Sequence, residues 1–222
     1  MIPRRVFPEL LDSLEEGDPA ALRNRRDLRR LNAVMGNHRW LCRQLERLVR
    51  PGDRVLELGA GDGVLLRKLD ARLRGRGVTL SGLDRCASPI GLPAGVNWIR
   101  ADLLEFEGWA DYSVVVVNLL LHQFEDDALR GLGLRMGASA RCVLGNETVR
   151  GRWHGFMARA SYLLGMGPVS RHDAVVSVRA GFRPGELRQL LGWTEGRWRV
   201  EEHVSLLSAL RFCARREDER GP

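Results

Sequence analysis

Val55-Leu56-Glu57-Leu58 runs directly into Gly59-Ala60-Gly61-Asp62-Gly63, and Leu65, Leu66, Leu69 and Leu73 follow at helical spacing. The order predicts a short apolar strand over 54–58, a glycine turn, and an amphipathic helix over 64–74 that Gly75 and Gly77 close. A strand that feeds a helix through glycines leaves backbone amides open to a ligand.

The same alternation continues outward. Further strands are expected over 78–84, 96–102, 111–118 and 141–147, with a helix over 125–136. The unbroken run Val114-Val115-Val116-Val117 reads as a strand covered on both faces. Strands and helices alternating at this spacing predict βαβ units and a parallel sheet. A helix begins at Pro184-Gly185-Glu186-Leu187 and ends near Leu191, ahead of closing strands over 198–204 and 207–214. Residues 1–50 read as a helical cap, with a turn at Gly17-Asp18-Pro19 and a break at Gly36-Asn37. Residues 51–222 form the main domain, interrupted by an insertion at about 148–183 that carries a helix over 153–164. Within it, Arg171-His172-Asp173 reads as extended chain leading into Val175-Val176-Ser177-Val178.

Composition narrows the class. Hydrophobic residues are 44% and charged residues 28% of 222, enough for a sizeable core. The longest apolar stretch, residues 114–121, is far shorter than the roughly 20 residues of a membrane span. The charged opening (Arg4, Arg5, Glu9) does not read as a secretory leader. Cys42, Cys86, Cys142 and Cys213 are widely spaced and include no Cys-x-x-Cys pair, which argues against zinc and a disulfide framework and for a cytoplasmic protein. The formal charge of +7 resides in residues 20–50, where nine arginines face Asp27 and Glu46. Leu28, Leu31, Val34, Leu41, Leu45 and Leu48 interleave with them at helical spacing, so a solvated helix face accounts for the charge better than nucleic acid does.

Three ligands compete for the glycine loop. A phosphate loop needs a lysine and a hydroxyl after the glycines, but Val64-Leu65-Leu66 follows. A dinucleotide loop needs a later third glycine, and the carboxylates of Glu57 and Asp62 would repel a pyrophosphate. Those carboxylates suit a cationic centre, an ammonium or a sulfonium.

Glu57-x-Gly59-x-Gly61 after a first strand resembles the first motif of class I S-adenosylmethionine-dependent methyltransferases, and the likeness extends over about residues 50–147. It implies an α/β, Rossmann-like fold: a mixed seven-stranded sheet, last strand antiparallel, with helices on both faces. It implies S-adenosylmethionine as cofactor, with S-adenosylhomocysteine as product and no metal. Asp126 and Asp127, which could be mistaken for metal ligands, open the helix after the fourth strand, where they suit its dipole. Glu57, Gly59, Ala60, Gly61 and Asp62 would hold the cofactor. Asp84, with Arg85, would sit at the ribose hydroxyls, since a carboxylate accepts two hydrogen bonds from a diol. Asp102 and Leu103 would lie at the adenine, and Asn118 and Leu119 would close the pocket. His122, or His172 beside Asp173, would serve as the base, and Trp153, Met157 and Asp173 would line the acceptor site. Arg25–Asn32, Met35-Gly36-Asn37 and the Arg171–Pro184 region resemble a bacterial subgroup that accompanies type III polyketide synthases. That likeness implies O-methylation of a small phenolic or quinone-like polyketide by a monomer or homodimer. The rivals are an RNA methyltransferase, with its arginines at the pocket mouth, and an inactive subunit of the same fold. No Asn-Pro-Pro-Tyr-type motif follows the fourth strand, which weighs against the first; intact glycines and carboxylates weigh against the second.

Overall fold

The computed structural model describes residues 3–15, 17–160, 165–193 and 196–217, excluding the side chains of residues 152, 157, 159 and 160. Seven strands form one sheet in the order β3-β2-β1-β4-β5-β7-β6. They are β1 (Arg54–Leu58), β2 (Thr79–Asp84), β3 (Val96–Arg100), β4 (Val114–Asn118), β5 (Cys142–Thr148), β6 (Trp198–Val204) and β7 (Ala209–Arg216). The first five pair in parallel, and β7 lies antiparallel between β5 and β6. This is the class I methyltransferase arrangement that the family resemblance implies. The final strand lies two residues later than expected.

Strand alternation sorts side chains into two layers. Val115 and Val117 of β4, with Leu56 and Leu58 of β1, pack toward α4 (Asp126–Ser139) and α7 (Glu186–Leu190). Val114, Val116 and Val55 face the opposite side, with Leu65, Leu66 and Leu69 of α3 (Val64–Leu73) and Leu41 and Leu45 of α2 (Asn37–Leu48). The period of two places Glu57 on that second face, at the ligand end of β1. On the first face α4 meets α7 so closely that a Cβ on Gly133 would lie 2.1 Å from the Leu191 carbonyl oxygen. Gly133→Ala must push these helices apart, so it is expected to cost about 1–3 kcal/mol. A thermal melt checks this, and an unchanged midpoint would refute the packing argument.

Residues 1–50 are less helical than predicted. Residues 3–9 have no regular structure, and a 3-10 turn spans Leu10–Ser13. Helix α1 (Pro19–Met35) starts at Asp18, whose carboxylate accepts from the Ala20 N–H at 2.6 Å, with proline in the first turn. The N-terminal strap is pinned by Arg4, whose guanidinium donates to the Ala180 and Phe124 carbonyls and to Asp126, at 2.8, 2.6 and 2.7 Å. In the insertion, α5 (Arg152–Ala160) covers the first part of the expected helix, and residues 161–164 lie outside the described residues. The extended reading of Arg171-His172-Asp173 is corrected: these residues lie within α6 (Pro168–Ala180). Pro168 at the first helical position starts this helix, and packing against α1 and α5 holds it despite the β-branched Val175, Val176 and Val178.

Candidate active site

The strand order reverses between β1 and β4, and a cleft of about 980 Å³ opens at the carboxyl ends of those strands. The glycine loop, the ends of β2 and β4, the strap, α1 and α6 all contribute to its wall. Every residue expected to bind the cofactor lines it: Glu57, Gly59, Ala60, Gly61, Asp62, Asp84, Arg85, Asp102, Leu103, Asn118 and Leu119. Gly59 is left-handed (φ +62°), and a Cβ there would lie 2.9 Å from Leu120, so this turn demands glycine.

The carboxylates here are in different states. Asp84 accepts from the Gly61 N–H at 2.7 Å and the Cys86 N–H at 2.9 Å, which fixes its plane while leaving lone pairs for a ligand. Asp102 accepts from the Leu104 N–H at 2.8 Å. Asp62 is taken by the Arg29 guanidinium of α1 at 2.6 Å. Glu57 differs: it is buried at 4% exposure, and its Oε2 has no hydrogen-bond partner among the described residues. Burial, then the charges of Asp62 and Asp84, push its carboxyl well above the ordinary range. A buried, unpaired acid beside two more carboxylates fits a ligand that brings positive charge. Of the two carboxylates read from the loop, Glu57 is the one left for that charge.

The far end of the cleft is organised around His122. The imidazole is buried, with Nδ1 donating to Glu147 Oε2 at 2.8 Å and Nε2 to Glu9 Oε1 at 3.3 Å. Burial alone would favour neutrality, but Glu147 and Glu9 raise its pKa to about 9. His122 is therefore an imidazolium rather than the free base that its sequence position suggested. Glu147 also accepts from the Leu120 and Leu121 N–H groups at 2.9 and 2.6 Å, tying the loop after β4 to β5. Glu9, on the strap, receives the Ser177 hydroxyl and the Gln123 amide as well. Burial raises its carboxyl, but these partners, led by His122, hold it below its ordinary value.

His172 is half exposed, with Nδ1 3.1 Å from Asp173 Oδ1, and it does not line the cleft. Asp173 does line it, but accepts from the Leu10 and Leu11 N–H groups and from Asn24, so it holds the 3-10 turn in place. Trp153 lines the rim; the side chain of Met157 lies outside the described residues. His154 also lines the cleft, whereas His203 packs edge-on to Trp40. Sequence reading missed Glu9, Glu147, Asp12, which pairs with Arg85 at 3.1 Å, and His38. His38 lies in the cleft wall 3.4 Å from the Lys68 ammonium; burial and that charge lower its pKa to about 4. A carboxylate near the end of the strand that begins Cys142-Val143-Leu144 was a readable sign of Glu147; the strap carried no periodic sign of Glu9. Among the described residues no cluster of three or more metal-ligating side chains occurs.

Sheet order, glycine turn and cleft together define the class I methyltransferase fold. A family model described as methionine biosynthesis protein MetW matches residues 39–148, just under half of the chain. Among solved structures, the plantazolicin methyltransferase BpumL in complex with a pentazolic desmethylPZN analogue and SAH superposes with a TM-score of 0.70. Identity is 13%, over 90% of this chain and 91% of that one. A structure from Nostoc punctiforme PCC 73102, provisionally described as an O-methyltransferase, gives 0.55 at 14% identity, over 81% of this chain and 55% of that one. A structure described by the conversion of a disulfide bond into a thioacetal group during echinomycin biosynthesis gives 0.54 at 20% identity, over 82% of each chain. No curated protein matches the chain.

Proposed function

We propose that this chain transfers the methyl group of S-adenosylmethionine to a small acceptor, a hydroxyl on an aromatic ring such as that of a phenolic or quinone-like polyketide. The observation that carries the reading is Glu57: a buried carboxyl with an unpartnered oxygen, facing a cleft that opens beside a glycine turn. Glu57 would take the ligand's ammonium, Asp84 its ribose hydroxyls, and Asp102 with Leu103 its adenine. Bound there, the cofactor supplies a methyl group made electrophilic by a positively charged sulfur.

The chain's own residues do the rest. Leu11, Leu14, Leu28, Leu31, Met35 and Trp153 offer an apolar wall to a flat acceptor. Glu9 is the proton acceptor: as the acceptor oxygen gains its methyl group, its hydrogen becomes acidic, and a carboxylate suffices to take it. His122 keeps Glu9 ionised, and Glu147 keeps His122 in place. Water is excluded by the strap, held by Arg4 at one end and by Asp173 at the other.

Labelled-methyl transfer to a panel of phenols, with transfer RNA as comparison, tests the reading. Labelled phenol is expected; label on RNA alone would overturn it. In the same assay Glu9→Gln should lower kcat about a hundredfold with little change in acceptor KM. Equal kcat would remove Glu9 from the mechanism. Asp84→Ala should raise the cofactor's Kd at least about tenfold, one lost charge-assisted hydrogen-bond pair; unchanged affinity would refute the ribose assignment.

A further inference from the structure

We propose that the mouth of the cleft is a docking surface for a bilayer containing anionic lipids. Two apolar pairs stand out at the rim. Trp153 and Phe156 on α5 stack at 5.7 Å yet remain 64% and 58% exposed. Leu206 and Leu207, in the turn between β6 and β7, are 102% and 47% exposed. Trp153, Leu206 and Leu207 all line the one cleft, so segments distant in sequence meet at one rim. Single exposed apolar residues need no explanation, but a cluster of large ones around an opening marks an interaction site.

Charge says which partner fits. Helix α1 forms another side of the mouth through Arg25 and Arg29. Next to these on its exposed surface, Arg23, Arg26 and Arg30 border a hollow of about 270 Å³ with Gly165. Asp27, also in that hollow, already accepts from the Gly167 N–H at 2.8 Å and the Ser170 hydroxyl at 2.7 Å. Arg30 reaches it at 3.8 Å, Arg23 donates to the Gly165 carbonyl, and Arg26 has no hydrogen bond or ion pair among the described residues. The hollow can therefore receive a lipid phosphate while the apolar tips enter the headgroup boundary. Arginines beside Trp, Phe and Leu are the composition of interfacial membrane contacts. A second copy would bring the same arginine stripe against itself, and a nucleic acid would leave the leucines unexplained. No described helix is long and apolar enough to cross a membrane, so the contact is peripheral. If the methyl-transfer reading holds, an apolar acceptor enters the cleft from the lipid; the docking itself does not depend on that reading.

Sedimentation of the full chain with phosphatidylcholine vesicles, with and without phosphatidylglycerol, tests the proposal without measuring methyl transfer. Binding is expected on the anionic vesicles, at least about tenfold weaker on the neutral ones, and weakened by salt. Leu206→Ser/Leu207→Ser should lower binding at least about tenfold, and Arg26→Gln about fivefold, with unchanged circular dichroism melts. Failure to sediment with the anionic vesicles overturns the proposal, as does wild-type binding by the leucine variant. A doubled mass by light scattering that the leucine variant abolishes would overturn it in favour of a subunit interface.

Discussion

Glu57→Gln is expected to bind S-adenosylhomocysteine at least about a hundredfold more weakly than the wild type while melting at a higher temperature when ligand-free. The two effects share one cause. In the free protein the Glu57 carboxyl is buried, has an unpartnered oxygen and lies near Asp62 and Asp84, so its charged form is costly. Its folded pKa is raised above the ordinary 4.5, so folding takes up a proton between those two values. Stability of the ligand-free protein therefore falls as pH rises through that window, by up to about 1.4 kcal/mol per pH unit. An amide removes this dependence. It also removes the charge that a buried ammonium needs, and truncating one partner of such a pair costs about 2–5 kcal/mol of binding. Calorimetric titration and melts at several pH values read both effects. A variant that binds as tightly as the wild type, or melts lower at neutral pH, would show that Glu57 is structural.

Glu147→Ala should cost about 3–5 kcal/mol of stability, the range for breaking a buried ion pair by removing one partner. Glu147 is fully buried and takes three donors: the Leu120 and Leu121 N–H groups and His122 Nδ1. Its loss strands all three and leaves the imidazole facing Glu9 alone. Against a total of about 5–15 kcal/mol for a domain, this brings the chain close to unfolding. Urea denaturation measures it; a loss under about 1 kcal/mol would contradict the assigned network. The same network sets an alkaline limit. The His122 pKa is raised to about 9 from 6.5, so the stabilisation from its charged form is fully present below 6.5 and is lost as pH rises through about 9. Glu147→Ala should flatten that loss.

What sequence could reveal follows from where the information lies. The glycine turn and Val114–Val117 specify local conformation and two-sided burial by themselves, so the sheet was legible to within a few residues, and so was the cleft wall at the glycine loop. The period-two pattern of β1 also placed Glu57, though not its lack of a partner, which depends on the side chains that folding brings beside it. The end of the cleft around His122 was far less legible. His122, Glu9 and Glu147 meet only through folding, Glu9 and His122 being 113 positions apart. His122 was read as a neutral base because nothing local announces two carboxylates. Arg171-His172-Asp173 reads as extended from the sequence alone, whereas Pro168 and the packing against α1 and α5 make the segment helical. The strap has no periodicity, since its residues are held by side-chain and backbone hydrogen bonds to α6 and to the loop after β4.

The most direct test is equilibrium titration of the folded full chain with S-adenosylmethionine by calorimetry. A single saturable site is expected, with a matching rise in melting temperature that Glu57→Gln abolishes. A cooperatively melting protein that gives neither binding heat nor a thermal shift at saturating S-adenosylmethionine would contradict the account.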